Sequence, residues 1–151
     1  MFQAMSDSTI AQITAERARD ALYKDDYASQ SCGIVCARVA PGTATMTMTI
    51  RKDMLNGFGI CHGGFIATLA DTAMAFASNS TNEMSLATNF ALDFIAPARL
   101  DDALTAEANE CARTGRQGIY DVRITNQRDE HIALMRGRIY RLHGKSVFAD
   151  T

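Results

Sequence analysis

The run Gly63-Gly64-Phe65-Ile66-Ala67-Thr68-Leu69-Ala70-Asp71-Thr72-Ala73-Met74-Ala75-Phe76-Ala77-Ser78-Asn79 is apolar around most of a helical wheel. Thr68, Asp71, Thr72, Ala75 and Asn79 form its one polar-leaning stripe. A helix apolar on nearly all sides is normally buried, so residues 63–79 read as a helix enclosed by the rest of the chain. From residue 57 to residue 82 the only formally charged side chain is Asp71. A lone carboxylate in the least charged window of the chain needs a structural or chemical reason.

The flanks supply what encloses this helix. Downstream, Leu86, Phe90, Leu92 and Phe94 are read as sharing one face of a strand that Pro97 closes. Residues 104–111, 118–125 and 131–142 read as three more strands, joined by turn signals at Thr114-Gly115 and Gln127-Arg128-Asp129. Upstream, Thr43, Thr45, Thr47 and Thr49 alternate with Ala44, Met46, Met48 and Ile50. This period of two puts threonines on one sheet face and apolar side chains on the other. Pro41-Gly42 joins that strand to residues 34–40 as a hairpin. Residues 51–61 read as a loop. Residues 8–27 read as an N-terminal helix, with Ile10, Ile13, Ala18, Ala21 and Leu22 as its apolar positions, a cap at Asp7, Ser8 or Thr9, and Gly33 ending the helical region. Short connections imply antiparallel neighbours. The expected class is α+β: about six antiparallel strands wrapped around a buried helix, with an extra N-terminal helix. The free edge of such a sheet favours oligomerisation.

Composition bounds the partners. The chain has 151 residues, 47% of them apolar and 21% charged, with a net charge of −2. One domain over residues 1–151 is expected, with its core at about 33–142. The charge balance argues against nucleic acid and against a polybasic membrane anchor. No secretory leader and no span of roughly 18 apolar residues is read, so a cytoplasmic location with reduced thiols is expected for Cys32, Cys36, Cys61 and Cys111. Cys32 and Cys36 lack a second ligand pair, so no metal site is expected.

The chemistry concentrates where the loop enters the buried helix. Helix N-termini carry unpaired N–H groups and a positive dipole end. With no β-carbon at Gly63 or Gly64, another molecule can approach those donors, which would suit a developing oxyanion. The same two glycines can equally be a packing contact. His62 reads more readily as a helix cap than as a base, and Asn56-Gly57 alone is most often a turn. Asp71 reads as a nucleophile or general base, as a carboxylate held by the hydroxyls of Thr68 or Thr72, or as an interface ion pair. The apolar side chains of Leu55, Phe58 and Met74 are candidates for an acyl pocket. Arg113, Arg116, Arg136 and Arg138 read singly as solvated strand charge and together as a phosphate site.

The string Asn56-Gly-x-x-x-Cys61-His62-Gly63-Gly64 followed by Leu69-Ala70-Asp71-Thr72-Ala73 resembles the signature of hotdog-fold acyl-CoA thioesterases. It is most similar to the phenylacetate-degradation, or PaaI-like, branch, which acts on phenylacetyl-type thioesters. Met54-Leu55-Asn56-Gly57, Ala77-Ser78-Asn79-Ser80, Asp93-Phe94, Gly118-Ile119-Tyr120-Asp121 and Arg136-Gly137 extend the resemblance from about Gly33 to Arg141. It implies that Gly63 N–H and the helix end polarise the thioester carbonyl. It also implies that Asn56 positions substrate or water, that Asp71 from the neighbouring subunit is nucleophile or general base, and that His62 orders the loop. Gly64 and Leu55 are taken as substrate contacts, and of the four arginines Arg116 and Arg136 are taken as candidates for its phosphates. Coenzyme A is then part of the substrate, no separate cofactor is needed, and a dimer assembled into a tetramer is expected. Some relatives carry a water-holding serine or threonine where this chain has Ala87, with Ser85 and Thr88 nearby. Other readings are a hotdog hydratase or dehydratase, a non-catalytic acyl-CoA binding module, and a cysteine hydrolase built on Cys61.

Overall fold

The structure is a computed structural model and describes residues 5–149. Two helices, α1 (Asp7–Lys24) and α2 (Tyr27–Ser31), precede a hairpin of β1 (Val35–Ala40) and β2 (Thr43–Thr49). A single 3-10 turn at Lys52–Met54 leads to α3 (Gly63–Asn79), which has the bounds expected from the sequence. Four strands follow: β3 (Glu83–Phe94), β4 (Ala103–Thr114), β5 (Gln117–Thr125) and β6 (His131–Ser146). They form one six-stranded antiparallel sheet in the order β1-β2-β4-β5-β6-β3. The last strand runs four residues past the expected end of the core at 142.

The sheet curls around α3. Ala44, Met46 and Met48 of β2, Tyr120, Val122 and Ile124 of β5, and Leu69, Ala70, Ala73 and Met74 of α3 are buried in one cluster. Alternation in β2 runs as read, with the threonines less buried than their apolar neighbours. Gly137 on β6 is a glycine because a β-carbon there would collide with the Met74 thioether. That close approach seats the middle of α3 on the sheet.

Three readings change. The apolar face of α1 differs at its start: Ile10 and Ile13 are exposed and Ala15 is buried instead, whereas Ala18 is buried and Leu22 packs against the core as read. Small side chains let the helix lie close to β1, where Gln12 Nε2 donates to Val39 O at 2.9 Å, and Ser6 rather than Asp7, Ser8 or Thr9 caps it. The helical region does not run unbroken to residue 27, because Asp26 starts the separate short helix α2. In β3 the register shifts between Ala87 and Asn89, so Thr88 is an extra residue in the ladder. A bulge inverts the alternation. Phe90, Leu92 and Phe94 oppose Gly137, Met135 and Ala133 on the concave side, whereas Leu86 opposes Tyr140 on the convex side.

The polar stripe of α3 is also narrower than read. Thr72 and Asn79 are buried, Asn79 bonding both the N–H and the carbonyl of Ser85. Ala67, Thr68, Asp71 and Ala75 remain as the partly uncovered line along the helix.

Beyond the apolar core, a charged ladder fixes the start of β3. Glu83 pairs with Arg113 and with Arg141 at 3.2 Å, and Arg141 reaches Glu110 at 3.0 Å. Tyr120, fully buried, donates to the same Glu110.

Candidate active site

The loop before α3 is shaped by Asn56. Its N–H donates to Ile60 O at 2.8 Å, and its carbonyl accepts from Gly59 N–H at 3.0 Å. Its side-chain oxygen accepts from Phe58 N–H at 2.9 Å and from Ile60 N–H at 3.4 Å. The amide oxygen is thereby committed to the turn, and the Nδ2 hydrogens have no acceptor among the described residues. Leu55 and Cys61 close the loop as a β-bridge. Cys61 N–H donates to Ala98 O at 2.8 Å, tying the loop to the segment after β3.

His62 is the N-cap of α3, and its Nδ1 accepts from Gly64 N–H at 3.0 Å. The capped nitrogen carries no proton, so the ring presents Nε2–H to solvent. The Gly64 N–H is engaged by this cap. Gly63 N–H, by contrast, makes no hydrogen bond to the described residues. A β-carbon on Gly63 would lie 2.7 Å from Cζ of Phe94, so the glycine packs closely on that ring while its N–H stays without a partner among the described residues. Asn56, Gly63, Ile60, Cys61, Phe94 and Ile95 are among the walls of a largely apolar cavity of about 470 Å³. An unpaired helix-end donor facing such a cavity is suited to hold a carbonyl oxygen that gains charge.

Asp71 is not in this cavity. Eight residues along α3 correspond to about 12 Å of axial rise from Gly63, and the carboxylate lies on the uncovered line of the helix. It has no hydrogen-bond partner among the described residues. The hydroxyl of Thr68 donates to Gly64 O at 2.9 Å, and that of Thr72 meets Ser29 Oγ at 3.1 Å, so neither holds it. Burial raises the Asp71 carboxyl above the usual carboxylate range, and the negative charge of Asp26 raises it further.

The remaining candidates scatter. Leu55 is partly buried against the core and does not line the cavity. Arg136 is held in a fork by Asp121, with both contacts at 2.6 Å, on the convex face. Its charge is neutralised where it stands. Arg116 lines a separate recess of about 460 Å³ with Arg113, Arg141, His143 and Lys145. Met74 is fully buried under Gly137 and Phe58 is 91% exposed, so neither lines the cavity. Ile60, Phe94 and Ile95 take that place instead. Pro97 marked the end of the strand that carries Phe94, but nothing in the sequence tied that end to the loop that carries Ile60. Burial pushes the Cys61 thiol up to about 11, which disfavours the thiolate a cysteine hydrolase needs. Among the described residues no three His, Cys, Asp or Glu side chains gather to hold a metal.

A single antiparallel sheet curled around a buried helix, whose free N-terminal donor opens on an apolar cavity, defines a hotdog-fold enzyme. The chain belongs to the thioesterase superfamily, whose family model matches residues 58–133. It is 39% identical over 124 residues to the acyl-coenzyme A thioesterase PaaI of Escherichia coli, covering 82% of this chain and 89% of that protein. It is 33% identical to a putative esterase of Archaeoglobus fulgidus, over 85% of this chain and 83% of the other. The solved structure of the E. coli PaaI protein from the phenylacetic acid degradation operon superposes with a TM-score of 0.88 and 36% identity, over 89% of this chain and 98% of that one.

Proposed function

We infer that this chain hydrolyses acyl-CoA thioesters to a free acid and coenzyme A. The observation that carries this reading is the unpartnered Gly63 N–H at the start of α3, beside Asn56 in an apolar cavity. In the proposed reaction the thioester carbonyl accepts from Gly63 N–H, and the free Nδ2 of Asn56 donates to the carbonyl or to water. His62 holds the loop by capping α3. In one course Asp71 attacks the carbonyl and expels the coenzyme A thiolate, leaving a mixed anhydride that water then cleaves to the free acid. In the other it removes a proton from a water whose oxygen attacks the carbonyl as the C–S bond breaks, and the thiolate leaves to take up a proton. The lack of a hydrogen-bond partner at Asp71 and its raised proton affinity suit both roles.

Asp71 would reach the cavity of a second copy, because its own is about 12 Å away along the helix. The free edge β3 and the exposed Leu86, Phe90 and Phe94 support a pairing of subunits, and we extend this to a tetramer built from two such dimers. Arg116, in its basic recess, is the better of the two proposed phosphate contacts, since Arg136 is already paired. An aromatic, phenylacetyl-type acyl group follows from the likeness to the phenylacetate-degradation protein. A cytoplasmic location, with no cofactor besides the coenzyme A of the substrate, completes the reading. Among the described residues no helix is long and apolar enough to cross a membrane.

A thiol-release screen over short, long and aromatic acyl-CoAs tests the reading. Turnover with an aromatic thioester is expected, and binding without thiol release would overturn it in favour of a binding module. Hydration of an enoyl-CoA would favour the hydratase alternative, for which the capped His62 is poorly placed.

A further inference from the structure

We propose that the recess around Arg116 is a binding site for a phosphate monoester, built by an outward loop in β6. Its link to the substrate rests on the acyl-CoA reading above, whereas the binding itself does not. In the ladder between β3 and β6, Glu83 opposes Ser146 and Ser85 opposes Arg141. The four residues 142–145 therefore stand against Met84 alone and leave the sheet. An irregularity of this kind re-aims side chains, and here it carries His143 and Lys145 to the walls of the recess, whose volume is about 460 Å³. Both ends of the loop are tied. Arg141 N–H donates to Arg116 O at 2.7 Å, joining β6 to the turn between β4 and β5. Past the loop, the Asn82 side-chain oxygen accepts from Val147 N–H at 3.0 Å and from Phe148 N–H at 2.9 Å.

The recess holds more positive charge than the fold uses. Among the described residues Glu83 is the one carboxylate on its walls. Glu83 pairs with Arg113 and Arg141, and Glu110 also binds Arg141. Arg116, His143 and Lys145 have no acidic partner among the described residues. Arg141, only 5% exposed, forms the floor, and its Nη1 has no hydrogen-bond partner among the described residues. It supplies charge from below, while Arg116 and Lys145, exposed at the rim, supply the contacts. Like charges gathered in one recess repel one another, and an anion seated among them relieves that repulsion. Phosphate oxygens suit both a guanidinium fork and an ammonium.

Two sources can supply such a phosphate. The recess follows the C-terminal end of α3 through Thr81 and Asn82, whereas the Gly63 cavity is at the other end, about 24 Å away along the axis. Two β3 edges paired about a twofold axis run antiparallel. That sets the Glu83 end of one copy beside the Phe94 end of the other, so the recess of one adjoins the cavity of the next. The first source is then the 3′-phosphate of the coenzyme A bound in that cavity. The second is a separate phosphorylated small molecule.

Calorimetric titration of the full chain with adenosine 3′,5′-bisphosphate and with inorganic phosphate tests the site. The double variant Arg116→Gln/Lys145→Gln is expected to bind both about tenfold or more weakly, at an unchanged melting point. Arg123→Gln removes a cation of the convex face that pairs with Glu107, and should leave both affinities as they are. Thiol release from acyl-CoA against acyl-3′-dephospho-CoA separates the two sources. If the phosphate belongs to the substrate, the wild type prefers acyl-CoA in kcat/KM by about tenfold or more, and the double variant loses that preference. If it belongs to a separate ligand, the preference is the same in both proteins and only the titrated affinities fall. Equal affinities in the wild type and the double variant overturn the proposal. So does an equal loss in Arg123→Gln, which would mark general charge attraction. Absence of thiol release from every acyl-CoA sinks the hydrolytic reading and leaves the titrations to decide the site.

Discussion

At the scale of single residues, the proposed reaction gives Asp71 and Gly63 different parts. Substituting Asp71 by Asn should lower kcat by about a thousandfold while substrate affinity survives, a loss of roughly 4 kcal/mol in transition-state stabilisation. Steady-state thiol release and equilibrium binding read the two quantities separately. The same change should raise the melting point at neutral pH. The folded protein raises the Asp71 carboxyl above its unfolded value, so it binds more protons than the unfolded chain between those two values. Stability therefore falls as pH rises through that window. The gain from Asp71→Asn should vanish below the ordinary aspartate range, and melting curves across pH check this. Gly63→Ala should lose most activity, because the new methyl meets the Phe94 ring beside the free donor. His62 was legible as a cap from its place before two glycines. The spent Gly64 donor was not, because only the His62 rotamer decides which N–H it takes.

Elements were legible in proportion to their periodicity. The bounds of α3 could be read because nothing interrupts its apolar pattern between His62 and Asn79. The β2 alternation fixed its faces for the same reason. The first turns of α1 were misread at Ile10 and Ile13, because alanine and isoleucine count alike as apolar, whereas close contact with β1 selects the small one; Ala18 and Leu22 were read correctly. The Thr88 bulge was hidden, since an inserted residue leaves no mark in composition and only the β6 register exposes it. The charged ladder is likewise built from residues distant in sequence. Replacing Arg141 by Leu should cost about 3–5 kcal/mol, because Glu110 and the Tyr120 hydroxyl would lose a buried partner. Chemical denaturation measures this. Gly137→Ala should cost about 1–3 kcal/mol by driving a methyl into Met74.

For the whole molecule, the proposal that the site is split between copies has its own test. Asp71→Asn and Asn56→Ala are each expected to be inactive alone. If a cavity takes Asp71 from its neighbour, a mixed dimer holds one site with both lesions and one with neither. Unfolding and refolding the two variants together should restore about a quarter of wild-type activity. No recovery would place Asp71 and Asn56 in the same subunit's site. Sequence alone indicated oligomerisation through the free edge of a six-stranded sheet. It could not show that Arg116 and Arg136 stand apart, since their separation depends on which face of which strand each occupies.

The anchoring of β3 also sets how that strand moves. An ordinary edge strand frays from its tips. Here Glu83 is bound into the charged ladder at the first residue, and Phe94 rests on the start of α3 at the last. The ladder is also irregular between Glu83 and Ser85, but there the ion pairs hold the chain, so the weak point is the unpaired residue at the bulge in the middle. In a separated subunit, amide hydrogen exchange is therefore expected to begin around Thr88 and spread outward, so that the strand opens like a seam giving way at its centre.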